Sequence, residues 1–212
     1  MEFNGHEVVI TYKNILRING RIKNGIIYIS APLYTREKDI INFLNTNSKR
    51  IEKYLNREII TNENELHIWG IKYELIPVES TENKLNIIDD KVYVFYKNNM
   101  DLVIDNYLKN IVKEELNLII NKYMDLMIKE NIMFNKITIK KMKSRWGSCL
   151  CSKRNISINS NLGKCPKYCL EYVFCHEIAH IKYPNHSKKF HEFIYSYYKD
   201  EKLATKELKK HY

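Results

Sequence analysis

The segment Cys175-His176-Glu177-Ile178-Ala179-His180 constrains this chain more than any other. The pattern H-E-x-x-H makes chemical sense on a helix, where residues four apart lie one turn above each other and His176 and His180 can turn both imidazoles toward one metal ion. Glu177 projects from the adjacent position, placed to hold a water at that ion and take its proton. Chance explains the pattern poorly, since a shuffled chain of this composition would contain it about 0.02 times.

A catalytic zinc site ordinarily takes three protein ligands and leaves one position open, so a third donor is required. His186 lies six residues after His180, beyond a Tyr183-Pro184-Asn185 turn able to swing the chain back. The outer spacing matches H-E-x-x-H-x-x-G-x-x-H, with Tyr183 in the place of the Gly. Glu192, Glu201 and Glu207 compete for the same position, Glu192 first among them, as the carboxylate of a two-His, one-Glu site. Asn185 and Ser187 flank His186 and could hold a ligand ring, although turn and helix-cap roles suit them better. Tyr183, His191, Tyr195 and Arg145 are candidate donors to a developing oxyanion, and Trp146 is a candidate substrate contact. Trp69 reads as a packed aromatic. Cys169 and Val173 share the helix face of the two histidines and suit the floor of a site.

Charge is unevenly spread. Between residues 131 and 170 there is no Asp or Glu, while Lys136, Lys140, Lys141, Lys143, Arg145, Lys153, Arg154, Lys164 and Lys167 supply nine of the net +10 charges. Such a region suits either an acidic partner, nucleic acid included, or a solvated basic face. Five cysteines, all between positions 149 and 175, are an odd number without the paired C-x-x-C knuckles of a structural zinc site, and read as free thiols. No run approaches the roughly 20 apolar residues a membrane crossing needs, and the amino terminus lacks the build of a secretory signal, so a cytoplasmic location with no membrane partner is expected.

Along the chain, VVITY, ILRI and GIIYISAP read as strands, with Asn19-Gly20 and Asn24-Gly25 as hairpin turns. Ile40, Phe43, Leu44, Ile51, Tyr54 and Leu55 then recur at helical spacing. Two strand pairs follow, HIWGIKYELIPV turning at Gly70 and KLNIIDDKVYVFY at Asp89-Asp90. A long helix is expected over 101–130, then the strands KITIKKM and NISIN around a loop at Arg145-Trp146-Gly147-Ser148-Cys149. A helix opens at Pro166 and stops at Pro184, with a last helical segment from near His186. No internal repeat is visible.

Read together, MKSRWGSC, NISIN and YVFCHEIAHIKYPNHSKKF resemble the YgjP-like metallopeptidases and, more distantly, the SprT-like zinc proteases; YKNILRINGRIKNGIIYISAP extends the likeness to the amino-terminal part. Where the family has Trp after the Phe of its last motif, this chain has His191 after Phe190. The resemblance implies an α+β fold, with a β-rich lobe with one helix over 1–100 and a zincin-like metallopeptidase lobe over 101–212. It implies Zn2+ on His176, His180 and His186, Glu177 as the catalytic residue, and Trp146-Gly147-Ser148-Cys149 as a strand edge beside the cleft. Hydrolysis of a protein or peptide substrate is the expected activity. The alternatives are a protease docked on nucleic acid through 131–170, as the SprT-like resemblance suggests, and a zinc hydrolase acting on amides other than peptide bonds. Oligomeric state is not legible in the sequence.

Overall fold

The computed structural model describes residues 1–23, 25–60 and 64–211, with backbone alone for Lys23 and residues 56–60. It is a mixed α+β structure whose contacts divide it into two units, Met1–Glu63 and Asn64–Tyr212.

In the first unit, β1 (Glu2–Phe3), β2 (His6–Lys13), β3 (Asn19–Lys23) and β4 (Ile26–Pro32) form a sheet of order β1-β2-β4-β3, with β2 parallel to β4. The parallel pairing explains why ILRI is no strand. Residues 14–18 must carry the chain from one side of β4 to the other, which leaves Leu16 fully exposed. Asn19-Gly20 lies inside β3, opposite Ser30 and Ile29, where a Gly20 side chain would meet the Phe43 ring at 3.2 Å. The turn is made further on, where Gly25 has φ +73°; Asn24 lies outside the described residues. The expected helical stretch is two helices, α1 (Glu37–Thr46) and α2 (Ser48–Ile60), separated at Asn47, whose amide donates to the Phe43 carbonyl at 2.8 Å. Val8, Ile27, Ile29, Ile40, Leu44, Ile51 and Leu55 make this unit's core.

The second unit opens with β5 (Glu65–Ile68), β6 (Ile71–Glu79), β7 (Lys84–Ile88) and β8 (Lys91–Tyr96), in order β5-β6-β8-β7 with β6 parallel to β8. Both expected turns are present, with Trp69, Gly70 and Asp89 at positive φ. Order and strand direction repeat those of the first sheet, a duplication that the sequence does not display.

Asn99 caps α3 (Met100–Lys122) by accepting from the Leu102 amide at 3.0 Å. Val103, Ile104 and Leu108 on its first half pack on the β5–β8 sheet, whereas Val112, Leu116 and Ile119 enter the larger core around the candidate site. The helix stops at Tyr123, which tucks its ring beside Phe174 and donates its hydroxyl to Glu171 at 2.6 Å, and α4 (Met124–Lys129) follows.

A three-stranded sheet of β9 (Lys136–Lys140), β10 (Gly147–Leu150) and β11 (Asn155–Asn159) comes next, with β11 central, antiparallel to β10 and parallel to β9. Over it lies α5 (Lys167–Lys182), buried on most of its circumference, as expected of a helix at the centre of a core. The β5–β6 turn abuts the start of α5: the Trp69 amide donates to the Gly163 carbonyl at 2.8 Å, and any side chain at Gly70 would strike Pro166. Two further helices, α6 (Lys188–Tyr197) and α7 (Glu201–Leu208), take the place of the single segment expected. All five cysteines are free, and Cys165, Cys169 and Cys175 are buried. No helix among the described residues is long and apolar enough to cross a membrane.

Candidate metal centre

His176 and His180 stand one turn apart on α5, and α5 ends where the Tyr183 amide donates back to the Ala179 carbonyl at 2.9 Å. Pro184 cannot continue the helix, and the chain turns so that His186 arrives opposite His176. The Nε2 atom of His176 lies 3.2 Å from that of His180 and 3.1 Å from that of His186. One ligand atom from each ring lies within 4.8 Å of the others, and no second group of three such residues occurs among the described residues.

The competing carboxylates are engaged elsewhere. Glu192 faces Lys188, Glu207 faces Lys210 and His211, and Glu201 lies against Tyr172 and His191. Ser187 caps α6 by accepting from the Phe190 amide. Phe190 is fully buried, with its ring centroid 4.9, 4.7 and 4.9 Å from those of His176, His180 and His186. It forms the floor on which the three imidazoles stand. Phe190→Ala should destabilise the fold by about 3–5 kcal/mol, read from a urea transition with unchanged slope.

The rings are oriented from behind. Nδ1 of His180 lies 3.1 Å from the Tyr183 carbonyl, which only accepts, so that nitrogen carries the proton and Nε2 keeps its lone pair. Nδ1 of His176 lies 3.4 Å from the Tyr172 hydroxyl. Burial, followed by the neighbouring His180, His186 and His191, pushes the His176 imidazole down to about 4, which leaves it neutral at physiological pH, the form that binds metal. Burial lowers His180 as well.

Glu177 leaves α5 toward β10. Its residue is 5% exposed, Oε2 is buried with no hydrogen-bond partner among the described residues, and burial pushes the carboxyl up to about 8 against the opposing pull of Arg145. Three imidazole nitrogens that converge, with a buried carboxyl on the next residue of the same helix, form a donor set whose chemistry suits a cation. Gly147 makes the room, since a Cβ there would lie 2.5 Å from Glu177 Oε1. β10 is the edge strand of its sheet, and Gly147 and Cys149 share its α5-facing side with the buried Ile156 and Ile158 across from them.

The other sequence candidates are spread around this centre. His191 lies beside His186, ring centroids 6.3 Å apart. The Tyr183 ring turns to Phe193 at 5.6 Å, while its carbonyl serves His180. Arg145 is exposed, Tyr195 is exposed, and Trp146 packs against the core. Of the nine cations between 131 and 170, Lys141 pairs with Asp105 and Lys167 with Glu115.

Sequence reasoning missed Asn159. Buried at the end of β11, it accepts from the Met142 and Asn161 amides and donates to the carbonyls of Met142 and Arg145, and so fixes the loop that leads into β10. It missed Tyr172 too, although a polar aromatic one turn before a candidate ligand was a signal open to it.

The chain matches the family model described as YgjP-like, metallopeptidase domain, over residues 16–211. No curated protein matches it. A match across so much of its length shows that the chain belongs to the YgjP-like metallopeptidase family.

Proposed function

We propose that this member of the YgjP-like metallopeptidase family hydrolyses peptide bonds with one zinc ion held by His176, His180 and His186, and that Glu177 is its general base. The observation that carries the reading is the convergence of imidazole nitrogens from His176, His180 and His186, with the neighbouring Glu177 buried and its Oε2 without a hydrogen-bond partner among the described residues. A three-nitrogen donor set with a side open to solvent at the exposed His186 suits zinc in a catalytic role better than calcium or magnesium, which prefer oxygen. Bound there, zinc would polarise the scissile carbonyl and make water acidic enough to react near neutral pH.

The chain's own groups do the rest. Glu177 accepts a proton from the attacking water and returns it to the leaving amine, a task for which an unpartnered oxygen is free. The edge of β10, next to Glu177 and unpaired among the described residues, offers backbone donors and acceptors to an extended peptide, which is how a strand recognises a substrate without reading its side chains. His191 stands beside His186, and Arg145 and Trp146 immediately precede β10, which leaves all three as candidates for contact with a substrate.

The test is digestion of an unbiased peptide mixture. Fragments should appear with the zinc-loaded protein, disappear with a chelator and return on adding zinc. If peptides stay intact while small non-peptide amides are cleaved, the reading is wrong about the substrate; if neither is cleaved, it is wrong about the reaction.

A further inference from the structure

Two residues behind the histidines form a relay that the proposed chemistry does not use. The Tyr172 hydroxyl, 3.4 Å from His176 Nδ1, also lies 3.2 Å from Oε1 of Glu201, and the same Oε1 lies 3.6 Å from His191 Nδ1. Tyr172 is 7% exposed, its ring held between His176, which it meets edge-on, and Tyr198, to which it is tilted, at centroid distances of 5.7 and 5.6 Å. Glu201 is the first residue of α7, and buried Ala204 and Leu208 anchor that helix to the core. Neither partner is free to drift.

We propose that Glu201 is a positioning residue of the metal site, acting on His176 through Tyr172. The Tyr172 hydroxyl donates its one proton to Glu201 Oε1, which accepts it. The lone pairs of the phenol oxygen then face His176, and the proton between the two atoms must sit on Nδ1. That fixes the tautomer in which Nε2, the atom 3.1–3.2 Å from its two counterparts, keeps its lone pair for a metal. Without Glu201 the hydroxyl is free to donate toward Nδ1, and the ring then carries its proton on Nε2, which blocks the ligand atom. His180 receives the same instruction directly from the Tyr183 carbonyl. His176 receives it through one intermediate, from a residue 29 positions beyond Tyr172 in the chain.

This inference rests on the reading of the three histidines as metal ligands, and the experiment separates the two. Zinc affinity is measured by competition with a chromogenic chelator for the wild type, Tyr172→Phe, Glu201→Ala, Glu201→Gln and the Tyr172→Phe/Glu201→Ala double variant. Tyr172→Phe and Glu201→Ala should each weaken zinc binding about 10- to 100-fold, the range for losing a group that orients a ligand. The double variant should be no weaker than the worse single one, because both cut the same relay. Glu201→Gln, whose amide oxygen still accepts from Tyr172, should recover part of the loss. Tyr172→Phe keeps the ring packing, so it reports on the relay even if Glu201→Ala perturbs α7. Wild-type zinc binding with both single variants within threefold of it overturns this inference alone. A wild type that takes up no zinc overturns the ligand reading and this inference with it.

Discussion

Replacing Glu177 with Gln is expected to leave zinc affinity within a few-fold of wild type and to lower turnover by about 10²–10⁴, the span usual for losing a positioned acid–base group. The two halves of the expectation have separate physical grounds. Glutamine has the shape of the carboxyl it replaces, so the contact with Gly147 and the packing of α5 on β10 are kept. Burial already holds the Glu177 carboxyl up at about 8, so the metal-free fold tolerates a neutral group there and an amide introduces no new buried charge. The three imidazoles, fixed by Phe190, Tyr172 and Tyr183, are untouched. What the amide lacks is an oxygen able to take a proton. Steady-state cleavage of a fluorogenic peptide, alongside zinc content per chain, checks both halves. A variant that holds zinc and still turns over at near wild-type speed would remove Glu177 from the chemistry.

The parts of this molecule that are legible in its sequence are those whose physics is local. The i, i+4 spacing of His176 and His180 specifies one helix face, and α5 presents it. The turns at Trp69-Gly70 and Asp89-Asp90 are legible because each needs backbone at positive φ. Long-range pairing leaves no such trace. Nothing in the residues of β2 says that its partner is β4 in parallel rather than a neighbour in a hairpin, and so ILRI reads locally as a strand and Asn19-Gly20 as a turn. Periodicity reports that a face is buried but not against what, which is why one helix was expected where Tyr123 and Asn47 each divide two. Glu201 is an instructive case. A carboxylate near a candidate metal site reads from sequence as a competing ligand, yet the structure sets it against Tyr172 and His191. Ligand and supporting residue share one composition; only position in space distinguishes them.

Gly147→Ala should fold, bind zinc close to normally and lose about a hundredfold in turnover, the size of effect that an ångström-scale displacement at a reacting group produces. One methyl group is enough because of where it must go. A Cβ at 147 would lie 2.5 Å from Glu177 Oε1, 2.7 Å from its Cγ and 2.9 Å from its Cδ, all inside contact distance and two of them not at the flexible tip. β10 cannot retreat: Gly147 is registered on Ile158, the Asn159 amide donates to the Trp146 carbonyl at 2.9 Å, and the Asn159 side chain holds Met142 and Arg145. The side chain of Glu177 must move instead, and it is the group that the proposed reaction uses as its base. Overpacking of this kind costs about 1–3 kcal/mol, which thermal unfolding would register. Gly163→Ala is the matched control. Its added methyl meets Leu108 at 3.0 Å, Ile111 at 3.2 Å and Val112 at 3.3 Å, its three nearest neighbours and all side chains of α3. It should lower stability while leaving the turnover of the folded fraction alone. Equal turnover in both variants would mean that the contact between β10 and Glu177 is packing and nothing more.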